Sequence, residues 1–412
     1  AKHKDRHKQD HNHPIYGMPI LLKDNINTRD MPTTAGAALL QNHIPENDAF
    51  VVKQLKSKGA LILGKVNLSE WAYYFCDGCP LGYSAVGGQT LNPYGKKVFE
   101  TGGSSSGSGV AVAANYAVAA VGSETSGSIL SPSSQNAVVG LKPTIGLVSR
   151  TGIVPISSTL DTSGPMTKSV IDNAILLDAM RGQDPSDSIT EKAPSFEYDF
   201  VKASQNNSFK GVRLGAIKSL VATDSLYGEA IKTLRQNGAE VIEYEAPNIR
   251  FTGFLSLLNG DMKYDLPKYF NTYANDSFSG CDVQSVIDYN VKDSLLRMPY
   301  GQARLDGIIA DTITRKGLKN IVEQLNQSAA SFYTVPMETH HLDAVLTKNN
   351  YYAAYAAAAF YPCLTVPMGY SKNGEPANLT FVAPSFQEEK LYALAAAYES
   401  ITKHRKLPSG YE

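Results

Sequence analysis

Residues 101–132 read TGGSSSGSGVAVAANYAVAAVGSETSGSILSP, two serine- and glycine-rich loops joined by a run of small, mostly apolar residues. Glycine admits backbone angles that other residues resist, and serine hydroxyls bond to nearby main chain, so either loop alone reads as a turn. Two of them bracketing one small-residue run read as parts of a single site. The small residues of 107–117 suit a closely packed helix, and VAAVGSE (118–124) suits a buried strand that presents the second loop at its end.

Upstream, PIYGMPILLKDNI (14–26) gives a turn and then an apolar run, read as a buried strand with Lys23 near its end. Residues 48–58 have helical spacing, and ALILGKVN (60–67) reads as a second buried strand. The order strand, helix, strand predicts an α/β chain with a parallel or mixed sheet covered by helices. Downstream, VVGLKPTIGLVSRTGIVP (138–155) supplies strands or turns punctuated by glycine, and 183–208 turns polar. A βαβ unit is expected at 211–245, mainly helix at 254–335, then strands at 361–370 and 378–384 and a helix through 387–403. This reads as one domain: a core over 14–183, an inserted α/β and mainly helical subdomain over 184–345, and a return to the core sheet over 346–412.

The chain has 412 residues, 43% of them hydrophobic, with 38 basic and 39 acidic side chains and a net charge of −1. That balance offers no general attraction for nucleic acid or a membrane surface, so a small molecule or a specific protein is the expected partner. No apolar run reaches the roughly 18 residues of a membrane-spanning helix, and the start, AKHKDRHKQDHNHP, is charged where a signal peptide is apolar. A cytoplasmic protein is expected, with secretion left open because a segment could precede Ala1. The four cysteines are too few for a disulfide scaffold. CDGC at 76–79 lacks the two further ligands that a zinc site needs, so a plain loop pair is expected there.

Serine attacks a carbonyl only when something removes its proton, so the chain must supply a base. None of the eight histidines lies in a glycine-rich or strand-end loop; His3, His7 and His11 share one helical face, which reads as a solvated face. Gly103–Gly107 matches GxSxG, but YGKKVFETG (94–102) makes a poor buried strand, and the nucleophile elbow needs one. Lysine remains. Lys23 follows ILL, so its stem can be buried and its amine held neutral by desolvation. Bringing a lysine from about 10.4 to about 7 takes roughly 4–5 kcal/mol.

Lys23 does not stand alone. IYGMPILLKDNI, GGSSSGSG, GSETSGSI and VVGLKPTIGLVSRTGIVPIS…LDTSGPM resemble, in order, the successive hallmarks of the amidase signature family, over most of 14–170. The resemblance implies a three-layer α/β/α sandwich with a large twisted mixed sheet, and hydrolysis of a carboxamide to carboxylate and ammonia. It implies Lys23 as the ultimate base, Ser104 as a relay serine after a cis peptide bond, and Ser128 as the nucleophile that becomes acylated. An oxyanion hole of backbone N–H groups from Thr125, Ser126, Gly127 and Ser128 follows, and no cofactor or metal is implied. Ser105 and Ser108 are expected to support the first loop. Ser106 and Ser126 stand where the family often has smaller or different residues, and Ile129–Leu130 follow the nucleophile where a basic residue is common, so the triad assignment stands while a standard acyl pocket is not implied.

Within the family, GKVNLSEWAYY and GGQTLNPYG are most similar to peptide amidases, which implies C-terminally amidated peptides or other small amides as substrates. Tyr73, Tyr74 and Phe75 are candidate cleft-lining residues. The alternative that the same resemblance allows is the glutaminase subunit of a tRNA-dependent amidotransferase. A monomer or homodimer is expected.

Overall fold

A computed structural model describes residues 13–194 and 198–411. His3, His7 and His11 lie outside the described residues. Among the described residues there are twelve strands: β1 (Pro19–Lys23), β2 (Leu61–Val66), β3 (Tyr83–Ser84), β4 (Gly88–Gln89), β5 (Ala119–Glu124), β6 (Val139–Lys142), β7 (Thr162–Thr167), β8 (Arg213–Ile217), β9 (Glu240–Tyr244), β10 (Ala344–Lys348), β11 (Cys363–Tyr370) and β12 (Pro376–Val382). Apart from the β3–β4 hairpin they form one ten-stranded sheet in the order β2-β1-β5-β7-β6-β11-β12-β10-β8-β9.

The sheet is mixed, one of the two arrangements that the alternating strand and helix patterning allowed and the one that the resemblance implied. β2, β1 and β5 run parallel, β7, β6, β11, β12 and β10 alternate in direction, and β8 and β9 follow β10 in parallel. The helix Phe50–Ser57 makes the crossover between β1 and β2 that a parallel pair needs. Successive side chains on a strand point to opposite faces, and the apolar residues divide accordingly. Ile20, Leu22, Ala119 and Val121 join the larger core beneath the helices Val170–Met180 and Glu388–Thr402. Leu21 and Ala120 join a smaller core with Ala111, Val112 and Ala113 of the helix Ser106–Ala113. Helices therefore cover both faces, the three-layer arrangement that the resemblance implied.

Gly107 and Gly109 explain the small-residue helix. A Cβ at 107 would lie 2.5 Å from the Asn67 carbonyl oxygen, and one at 109 would lie 2.8 Å from that of Pro132. Backbone approaches backbone there, and the helix is held close under both serine loops.

The segment expected as an insert over 184–345 is not a body apart. β8 and β9 extend the main sheet beyond β10, so the βαβ unit at 211–245 shares the core's hydrogen-bonded ladder. The helices Phe254–Tyr273, Val283–Val291, Ala303–Ala310 and Arg315–His340 make up the helical part. The first of these reaches the cleft described next.

Candidate active site

β1 ends on Lys23, which is fully buried, and its amine makes three hydrogen bonds at the C-terminal edge of the sheet. Lys23 Nζ lies 2.7 Å from Ser104 Oγ, 2.9 Å from Ser123 Oγ and 3.0 Å from the Ser123 carbonyl oxygen. Burial pushes the Lys23 amine down to about 7, against the opposing pull of Asp161 and Glu124. An ammonium donates to all three acceptors, whereas a neutral amine keeps two donors and one lone pair. In the neutral state the Ser104 hydroxyl, which rotates freely about its C–O bond, can turn and donate to Nζ.

Ser104 stands after a cis peptide bond from Gly103, and Gly102 before it has φ +68°. Neither glycine tolerates a side chain: a Cβ at 102 would lie 2.7 Å from Pro132 Cα, and one at 103 would lie 2.5 Å from Ser69 Oγ. Ser105 Oγ donates to the Ser123 carbonyl and accepts from the Ser123 N–H, while Ser108 Oγ donates to the Val121 carbonyl. These serines tie the first loop and its helix to β5. The two loops also meet directly, the Ser105 N–H donating to the Ser128 carbonyl at 3.0 Å.

The second loop is organised by Glu124, the last residue of β5. Its buried carboxylate accepts from the Gly127 N–H at 2.6 Å, the Ile129 N–H at 2.7 Å and the Leu130 N–H at 3.0 Å. Burial raises the carboxyl above its usual range, while these N–H bonds and the buried Lys142 oppose the rise. Gly127 has φ +103°, a region that favours glycine. Thr125 Oγ1 donates to Asp161 Oδ1 at 2.5 Å, and Asp161 Oδ2 accepts from the Ile156 and Ser157 N–H groups. Burial pushes Asp161 up to about 6.

One of the four expected oxyanion donors is thereby corrected. The Gly127 N–H is committed to Glu124, so its role is to fix the turn. The amides of Thr125, Ser126 and Ser128 donate to no protein group among the described residues and remain able to meet an anion. A cleft open to solvent lies at Thr125, and its wall also includes Asn25, Ser123, Ile156, Asp161 and Tyr269.

The amidase family profile matches residues 1–292. The chain belongs to the amidase family. It is 37% identical over 406 residues to a probable amidase of Arabidopsis thaliana, covering 96% of this chain and 78% of that protein. The solved structure of peptide amidase from Stenotrophomonas maltophilia superposes with a TM-score of 0.92 at 38% identity, over 99% of this chain and 88% of that one. A glutamyl-tRNA(Gln) amidotransferase subunit of Microcystis aeruginosa is 32% identical over 444 residues, covering 96% of this chain and 86% of that protein. The family and its peptide amidase neighbour make this amidase an amide-hydrolysing enzyme.

The aromatic candidates take other places in this amidase. Tyr74 and Phe75 are buried in the larger core, and the Tyr74 hydroxyl donates to Asn259 Oδ1 at 2.6 Å. Tyr73 is partly exposed, and its hydroxyl donates to the Cys79 carbonyl. Trp71, Ala72 and Tyr73 have φ of +50°, +54° and +75°, and this left-handed run turns Ala72 to the cleft in place of the three aromatics. Cys76 and Cys79, expected as a plain pair, form a disulfide with Cα atoms 5.8 Å apart.

Sequence reasoning missed Glu124. Its signal was an ionisable residue ending an otherwise apolar buried strand, immediately before the loop it organises. Glu124→Gln keeps the shape but can accept at only one of its two polar atoms, so it leaves a mismatched N–H beside the loop. We expect kcat to fall by about 10²-fold, near the effect of losing a single oxyanion donor. Steady-state rates on any turned-over amide check this, and an unchanged kcat would remove Glu124 from the loop's machinery.

Proposed function

We propose that this amidase hydrolyses carboxamides through an acyl-enzyme on Ser128, with Ser104 and Lys23 as its proton path. The observation that carries the reading is the 2.7 Å bond from the fully buried Lys23 amine to Ser104 Oγ, with that amine brought to about 7 by burial. Neutral Lys23 takes the Ser104 hydroxyl proton as Ser104 takes that of Ser128, and the Ser128 oxygen bonds to the substrate carbonyl carbon. The oxyanion that forms is met by the amides of Thr125, Ser126 and Ser128. Collapse breaks the C–N bond, and the proton returns along the same path so that ammonia leaves. Water, deprotonated by the same relay, then releases the carboxylate and restores Ser128.

For substrate, C-terminally amidated peptides or other small amides are the reading best supported. Its support is the likeness to a peptide amidase along nearly the whole chain and a cleft open to solvent at Thr125 of the second loop. The second reading is the glutaminase subunit of a tRNA-dependent amidotransferase, favoured by likeness to the Microcystis amidotransferase protein over 96% of the chain. Ammonia release from amidated dipeptides, aliphatic amides and glutamine separates them. Amidated peptides are expected to have the highest kcat/KM. A preference for glutamine, increased by a second subunit, would instead support the amidotransferase reading, and no turnover of amidated peptides would remove the peptide claim.

A further inference from the structure

β10 ends at Lys348, and the next residues are clamped to the sheet. The Asn349 N–H donates to the Asn378 carbonyl at 3.0 Å, Asn349 Oδ1 accepts from the Asn378 N–H at 2.8 Å, and Thr380 Oγ1 donates to the Asn349 carbonyl at 2.6 Å. Asn349 and Tyr352 adopt left-handed angles, φ +50° and +62°, and the Ala353 N–H closes the turn on the Asn350 carbonyl. Every one of these bonds leaves the Asn350 side chain out. Its carboxamide is exposed and pairs with no protein group among the described residues.

Its position is unusual for a merely solvated asparagine. A methyl group placed on Gly127 would come within 3.1 Å of Asn350 Nδ2 and 3.4 Å of Asn350 Cβ. The carboxamide thus lies over Gly127, the residue between Ser126 and Ser128. A hydrogen-bonded turn holds an unpaired donor and acceptor against Gly127, the residue before the candidate nucleophile.

We propose that Asn350 is a specificity-determining residue that hydrogen-bonds the peptide group next to the scissile carboxamide. In an amidated peptide the nearest peptide nitrogen is two bonds from the scissile carbon, and the peptide group offers one N–H and one C=O. The Asn350 carboxamide offers the complementary acceptor and donor. A simple aliphatic amide has only methylene there, so this contact selects N-acyl amino-acid amides. The inference rests on Ser128 being the acylated residue and refines the substrate class of the same site.

The test compares an N-acetyl amino-acid amide with its analogue in which methylenes replace the peptide group, using wild type, Asn350→Ala and Asn350→Leu. Wild type is expected to favour the peptide compound. Both variants lower kcat/KM on it by about tenfold, the worth of one or two exposed hydrogen bonds. The loss falls mainly in KM, because the contact is made alike in ground and transition states. On the analogue both variants stay within about twofold of wild type, as nothing there depended on that contact. Equal loss on both compounds assigns Asn350 to loop shape and overturns the proposal, as does no loss on either. Wild type that turns over the two compounds equally overturns the selection while leaving peptide amides as substrates. Wild type active only on the analogue overturns both the selection and the substrate class.

Discussion

Ser128→Ala lowers kcat by about 10⁴-fold or more on any amide the wild type hydrolyses, because no other group can form the acyl bond and the relay then has no proton to move. The protein itself survives the change. The Ser128 side chain is only partly buried, and the loop is held by the backbone bonds to Glu124 and by the Ser105 N–H on the Ser128 carbonyl. None of these uses the hydroxyl, so the thermal midpoint should move by no more than about 2 °C. Rate and melting measured on the same preparation separate chemistry from folding. A variant retaining a tenth of wild-type kcat would show that Ser128 is not the residue acylated.

The second large effect is the pH dependence carried by Lys23. The relay needs the neutral amine, and burial holds that amine at about 7, so kcat/KM should climb nearly tenfold per pH unit below 7 and level above it. The folded value lies below the ordinary lysine value, so between about pH 7 and 10.5 the unfolded chain holds a proton that the folded chain does not. Lys23's contribution to stability therefore rises with pH across that window and is flat below it. Lys23→Met removes both behaviours. Its rate drops by about 10³-fold or more, within the range for loss of a positioned base, and the remainder loses the rise through pH 7. The methionine stem fills the same buried space without an amine to desolvate, so the fold persists. A wild-type profile flat from pH 5 to 9 would exclude Lys23 as the base.

Much of this site was legible because its parts are local in the chain. The serine and glycine loops, the strand ending on Lys23 and the strand ending on Glu124 each occupy a few consecutive residues whose patterning dictates their form. The unread parts depend on what a side chain meets after folding. Glu124 turns back onto residues 127, 129 and 130, and that bond takes away a Gly127 N–H that looked free in the linear loop. Thr125 reaches Asp161, which lies beyond β6 in the chain and belongs to a different turn. Tyr73, Tyr74 and Phe75 looked suited to a cleft because of their type. Their direction is set by three left-handed residues without a glycine among them, and composition carries no sign of that turn. The βαβ unit at 211–245 was recognisable, but its attachment to β10 is a non-local pairing that no short window encodes.

The central claim is that Ser128 is the residue acylated, and covalent labelling tests it most directly. The protein is treated with a serine-reactive fluorophosphonate, digested, and its peptides are weighed by mass spectrometry. A single phosphonate adduct on Ser128 is expected, absent from Ser128→Ala and strongly reduced in Lys23→Met. An adduct on Ser104 or elsewhere, with Ser128 unmodified, would contradict it.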